Sequence, residues 1–264
     1  MCPAPYHAHQ RLGESCKRGL NTKNGFDPKL WGNDMWHFLR WIAWAHPVLD
    51  RSGPTVRREA CLAHHYKTFF DSLVHVLPCG TCCTHYASII AGKHAPRPTD
   101  GDRCVLTRSV ACSRPSLTTW LYSIQNCVSK RIGANVYDIP SYNSVRLQYR
   151  SGGAASGISS PAIFRCLLFV AWNYPKEASA KRIRGYRTFF NSLSYVLPTH
   201  SLRKWYAGIL ASSPPFLESS RCKGAGGTKA RARLTRWVVS LWNNGRSNPK
   251  TYAHVCKWMG AIRK

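Results

Sequence analysis

Cys79-Gly80-Thr81-Cys82 is the stretch of this sequence best suited to chemistry. Two intervening residues bring both sulfurs onto one helical turn, close enough to bond. Pro78 precedes the pair and suits the first turn of a helix that could run through Ala91. At such a start, unpaired backbone N–H groups and the positive dipole end stabilise a thiolate and lower a cysteine's pKa. Cys83 and His85 follow at once. The same spacing also serves zinc. The ligands would then be Cys79, Cys82 or Cys83, and His85. No second CxxC or HxxxH completes that set, although His64, His65 and His75 are scattered nearby. Thioredoxin-like chemistry needs a βαβ context that this chain does not show.

The rest of the chain bounds what the pair can be part of. The chain has 264 residues, 44% of them apolar, which is enough for a real core in one large or two small domains. Twelve cysteines would suggest a disulfide scaffold in a short secreted chain. This chain is long, and its N-terminus lacks the apolar core of a signal peptide. It is therefore expected to be made in the cytosol and soluble, which leaves a metal or thiol redox site. No apolar run reaches the length of a membrane span. Ile163 to Trp172 is too short, and Arg165 interrupts it. Lys and Arg number 38 against 11 Asp and Glu, a net charge of +27. Such a field favours anionic partners, non-specific nucleic acid among them.

The elements that must position the pair read as helices. Met35 to Trp44 is bulky nearly all round, as a mostly buried helix is. Glu59 to Val76 carries one stripe: Leu62, Tyr66, Phe69, Phe70, Leu73 and Val76. Ser116 is a fair N-cap for a helix through Ile132, with Gly133 just past it. Residues 95–115 read as a loop holding Cys104 and Cys112. Strand alternation is weak throughout.

Part of this pattern is written twice. YKTFFDSLVHVLPCGTCCTHYASII, from Tyr66, aligns without gaps to YRTFFNSLSYVLPTHSLRKWYAGIL, from Tyr186, and 12 of the 25 positions are identical. FLRWIAWAHP (38–47) matches CLLFVAWNYP (166–175), and LTTWLYSIQN (117–126) matches LTRWVVSLWN (234–243). The Gly/Ser/Ala stretch between the halves reads as a linker. The expected division is a tail at 1–30, a first domain at 31–150, a linker at 151–161 and a degenerate copy at 162–264. Thr199 and Leu202 stand in place of Cys79 and Cys82, so the second copy cannot cycle a disulfide. From Lys176 onward it carries 18 Lys/Arg and two Asp/Glu.

Three motifs in order resemble the Erv/ALR flavin-linked sulfhydryl oxidases. Trp31-Gly32 is followed by Trp36, Leu39, Ala43 and Pro47, matching the family's W-x-x-L-H-x-x-A-x-x-Y-P. A Tyr/Phe-rich helix then leads to Pro78 and the CxxC, with His85 and Tyr86 beyond. WLYSIQNCVSKRIGANVY (120–137) stands for the family's last block, with Trp120, Asn126, Val128 and Gly133 agreeing and Tyr137 replacing the closing Phe. Arg40, Gln125, Ser129 and Ala134 depart from the pattern at family positions that touch the flavin.

The resemblance implies an all-α fold, a four-helix bundle plus a short fifth helix, duplicated here as an intramolecular pseudo-dimer. It implies FAD at the bundle mouth. Trp36, Trp120 and Tyr137 would line it, His85 would pack on or polarise it, and Asn126 would hydrogen-bond it. Each has a plainer reading as a core aromatic, a solvated helix histidine or a backbone cap. The departures leave two alternatives: weak flavin binding, or a pyrophosphate held by Arg40, Lys130 and Arg131. A protein dithiol would attack Cys79, expected to be the more exposed sulfur. Cys82 would then face the flavin, and dioxygen would end as hydrogen peroxide. Cys83 reads as a buried bystander or a competitor. Cys2, Cys16 and Cys256 are weak shuttle candidates, and Cys104 with Cys112 a candidate loop staple. The family's dimers allow a homodimer of the whole chain. A large DNA virus is the expected source, with the protein in host cytoplasm or nucleus and in the virion. The competing readings are a non-catalytic basic helical protein of virions or nucleic acid, built on a degenerate oxidase fold, and a zinc-stabilised nucleic-acid binder.

Overall fold

The computed structural model describes residues 25–47, 56–93, 104–131, 140–150, 161–175, 178–215, 226–244 and 251–263. Regular structure among them is helical, and the only bridge they form is an isolated one between Gly25 and Cys79. The helices are α1 (Pro28–Trp44), α2 (Val56–Val76), α3 (Gly80–Ile90), α4 (Arg114–Arg131), α5 (Tyr142–Arg150), α6 (Pro161–Trp172), α7 (Ala180–Val196), α8 (His200–Ser212), α9 (Gly226–Asn243) and α10 (Tyr252–Arg263), with a 3-10 turn at Val110–Cys112. None of the described helices is long and apolar enough to cross a membrane.

Caps decide the boundaries that periodicity left open. α1 starts at Pro28, inside the expected tail, because the Asp27 carboxylate accepts the Lys29 N–H at 2.9 Å and proline suits the first turn. α4 starts ahead of Ser116. The Ser113 hydroxyl accepts the Ser116 N–H at 3.3 Å, and Pro115 sits in the first turn, where a missing N–H costs nothing. The expected loop therefore ends at Ser113.

α1 to α4 enclose one part of a continuous core. Phe38 meets Phe69 edge-on, and Phe70 meets Trp120 edge-on with centroids 5.1 Å apart. α5 packs on α1 as a short fifth helix. α6 to α9 repeat these contacts. Phe190 meets Trp237 edge-on at 5.2 Å, as Phe70 meets Trp120. The Tyr86 hydroxyl donates to the Phe70 carbonyl at 3.1 Å, and that of Tyr206 to Phe190 at 2.9 Å. Arg114 Nε donates to the His46 carbonyl at 2.6 Å, and Arg231 Nε to Tyr174 at 2.7 Å.

α2 lies against α7 and α1 against α6. Matched residues meet where the halves touch. Phe69 stacks on Phe189 with centroids 5.6 Å apart. His65 stacks on Tyr195 at 3.8 Å, and reciprocally His75 lies so close to Gly185 that a Cβ there would overlap its ring. Such reciprocity is what a two-fold interface produces. Arg165, the charge inside the apolar run, forms a two-pronged pair with Asp34 across the same seam, both bonds 2.8 Å long.

Candidate active site

Leu77 and Pro78 turn the chain out of α2 and into α3. Cys79 takes the N-cap position with an extended backbone, and its sulfur accepts the Cys82 N–H at 3.2 Å. Cys79 and Cys82 form a disulfide, with Cα atoms 5.1 Å apart. After reduction the same N–H and the helix dipole favour a Cys79 thiolate. The Tyr86 hydroxyl bond to Phe70 pins α3 to α2 and fixes the cap.

Accessibility reverses one expectation. Cys79 is only 6% exposed, whereas Cys82 is half-buried. The cause is a strap at Gly25–Phe26. Gly25 bridges Cys79, and the Phe26 N–H donates to the Pro78 carbonyl at 2.7 Å. Gly25 has φ +98°, and a Cβ there would run into the Pro78 oxygen, so only glycine lets the strap lie this close. Asn173, just past α6, donates to the Leu77 carbonyl at 3.4 Å and lies beside Gly25 in the strap.

The neighbours of the disulfide sort by role. Cys83 is buried, and its thiol donates to the Leu77 carbonyl at 3.4 Å. Burial pushes its pKa up against the opposing pull of Arg182, so it keeps its proton and serves packing rather than competing for substrate. His85 is half-buried three residues past Cys82, on the same side of α3. Among the described residues no group of three or more His, Cys, Asp or Glu could hold a metal.

A second polar cluster lies at the seam of α1, α4 and α5. Trp36, half-buried, and Arg40 share a face of α1. The Arg40 guanidinium donates to the Gln125 side-chain carbonyl of α4 and to the Tyr149 hydroxyl of α5. Thus two residues that depart from the family pattern bond each other. The Tyr149 hydroxyl, having accepted from Arg40, is left to donate to His37 Nδ1 at 2.6 Å. Burial lowers the His37 pKa, which favours the neutral ring that can accept. Burial also pushes Tyr149 up to about 12. Next to Gln125, the Asn126 Oδ1 is buried without a hydrogen-bond partner. An orphan of this kind costs about 1–3 kcal/mol unless a donor meets it.

Trp120 is 2% exposed, and its indole N–H donates to the Cys104 carbonyl at 3.0 Å. Its place is in the core, with its polar handle already used. Tyr137 and the side chains of Lys130 and Arg131 lie outside the described residues. His37 and Tyr149 were not singled out from the sequence. Nothing in a lone histidine beside Trp36, or in a tyrosine near the end of a short polar helix, marks them before α5 folds onto α1.

Residues 33–150 match the model of the Erv1/Alr family. That segment is similar to the Erv1/Alr family. The matched segment begins in α1, ends with α5, and holds both the disulfide and the polar seam. A probable FAD-linked sulfhydryl oxidase of Acanthamoeba polyphaga mimivirus is 29% identical over 113 residues, covering 43% of this chain and 66% of that protein. The chain thus spans just under two thirds of that relative's length. No solved structure matches.

The matched segment suits a polar ligand at its seam. Asn126 Oδ1 is an acceptor in search of a donor, and Arg40 brings a half-buried cation. In the second half, the positions of Trp36 and Gln125 are Phe164 and Trp242, which stack at 4.2 Å and close the seam with apolar surface. The residues present in the matched segment fit FAD, whereas Phe164 and Trp242 occupy the corresponding place in the second half.

Proposed function

We propose that this chain is an FAD-dependent sulfhydryl oxidase that forms disulfides in protein substrates and reduces dioxygen to hydrogen peroxide. The observation that carries the reading is the Cys79–Cys82 disulfide at a helix start within the segment that matches the Erv1/Alr family. Bound FAD would supply a two-electron acceptor and the route to dioxygen. Asn126 and Arg40 would hold it, with Trp36 and His85 beside it.

The chain's own sulfurs do the exchange. A substrate thiolate attacks one sulfur of the pair, the S–S bond breaks, and the other sulfur leaves as a thiolate. The second substrate thiol then displaces the enzyme, giving a substrate disulfide and reduced Cys79 and Cys82. The Cys82 N–H receives charge on Cys79. Attack on Cys79 requires the Gly25–Phe26 strap to lift, and attack on Cys82 does not. A C79S or C82S protein mixed with the disulfide form of the substrate forms a mixed disulfide through its remaining thiolate, with one substrate sulfur leaving as a thiol, and the variant that reacts faster identifies the sulfur that meets substrate.

Residues 162–264 act as a degenerate Erv-like domain docked in the place of a dimer partner. The recurring contacts and the Phe69–Phe189 pair support this reading. The excess of basic residues in that half is suited to an anionic surface such as nucleic acid, and retention on DNA at low but not high salt tests it.

The visible absorption spectrum of the purified protein is the deciding experiment. A flavin band near one per chain, with dioxygen uptake driven by a dithiol, is the expected result. A protein that stays colourless after FAD is added overturns the oxidase reading.

A further inference from the structure

Cys104 and Cys127 take no part in the exchange described above, yet their sulfurs lie 3.0 Å apart. That is closer than non-bonded heavy atoms of this size rest, about 3.5 Å or more. Each cysteine is held by contacts of its own. The Cys104 carbonyl accepts the Trp120 indole N–H at 3.0 Å, and two residues on, the Leu106 N–H donates to Ile90 at 3.2 Å. Cys127 rides on α4 two turns beyond Trp120, on the same face. The framework therefore presses the two thiols together. Cys112, the partner expected from the sequence, sits on the 3-10 turn at the start of α4 with a free thiol.

We propose that Cys104 and Cys127 form a second, structural disulfide. Cys104 is 2% exposed and Cys127 is half-buried, so the reaction starts at Cys127. Its thiolate attacks an incoming disulfide, either a small-molecule disulfide or the Cys79–Cys82 pair of another copy. One sulfur of that disulfide leaves as a thiol. Cys104 then displaces the other sulfur from Cys127. The pair loses two electrons and two protons, and the incoming disulfide becomes two thiols. The bridge ties the 104–106 segment to α4 at the residue next to Asn126, so it holds that side chain's place in the seam. Only this last consequence depends on the flavin reading.

The test uses the full chain, purified without reductant, alkylated in denaturant and digested unreduced. A cross-linked peptide joining Cys104 to Cys127, with Cys112 alkylated, is expected. The Cys79–Cys82 link in the same digest shows that the sample was oxidised. Alkylated Cys104 and Cys127 beside that link, or Cys104 joined to Cys112, overturn the proposal. A second readout uses C79S/C82S protein, which lacks the other bridge. Reductant should lower its Tm by roughly 5–10 °C. Adding C127S should remove that dependence, and a Tm indifferent to reductant in the parent overturns the proposal. Neither measurement needs FAD, so a colourless protein leaves both results readable.

Discussion

At the start of α3 the capping side chain is Cys79, and at the start of α8 it is Thr199. Each accepts the N–H three residues on, at 3.2 Å and 3.1 Å. Threonine keeps the cap and discards the redox chemistry. One turn along, the Cys83 thiol donates to Leu77, while Arg203 at the matching place donates to Leu197 at 2.6 Å. The carbonyl at the end of the long helix is satisfied in both halves, by unrelated side chains. At the seam the halves part. The first keeps Arg40, Gln125 and an unpaired Asn126 oxygen, and the second stacks Phe164 on Trp242. Backbone hydrogen-bond needs constrain both halves alike, while the residues of the redox pair and of the seam differ between them.

The largest expected effect comes from taking the sulfur out of the first half. C79S or C82S should cut dithiol-driven dioxygen uptake to background while leaving any flavin band in place. Installing T199C/L202C in a C79S protein should let a disulfide form without restoring uptake, because that half has no open seam. Recovered turnover would break the comparison.

Next is the seam. R40L/Q125W copies Leu168 and Trp242 of the second half. The protein should stay folded by circular dichroism and lose its flavin absorbance. N126A is milder and should weaken FAD binding about tenfold, the loss of one hydrogen bond, about 1.4 kcal/mol, in a spectral titration. Retained flavin in R40L/Q125W would move the binding site elsewhere.

The interface comes third. F69A and F189A should each lower unfolding stability by about 3–5 kcal/mol in urea titrations. Because the rings stack on each other, the double variant should cost less than the sum, with a coupling of about 0.5–1.5 kcal/mol. Strict additivity would mean that the halves do not meet there.

The smallest effect is acid sensitivity. The pKa of His75 is lowered by burial and then by Lys181 and Arg182 of the second half, and that of His65 by burial and then His64. A lowered histidine pKa means that the unfolded chain binds protons first. Stability from this source is complete above the unfolded value, about 6.5, and is lost as pH falls through it toward the folded one. The urea midpoint should fall below that pH, and H75F should flatten the slope.

Much of the fold was legible because its signals are local. The stripe from Leu62 to Val76 and the proline before Cys79 announce two helices and the turn between them. Helix starts were misplaced where a side chain outside the apolar pattern makes the cap, as Asp27 and Ser113 do. The disulfide was legible because both cysteines share one turn. The exposure of Cys79 was not, because the cover comes from Gly25, far along the chain, whose only mark is a tolerance for positive φ.

The sequence by itself determined the all-helical fold, the position of the redox pair and the loss of its sulfurs from the second half, since periodicity, capping and residue identity act over a few neighbours. The tertiary structure alone decided that Cys79 is covered, that Arg40 and Gln125 answer each other, that Asn126 is left wanting a donor, and that Cys104 meets Cys127 rather than Cys112. Each of these depends on which helices lie side by side. Packing between distant segments sets that, and no spacing along one segment encodes it.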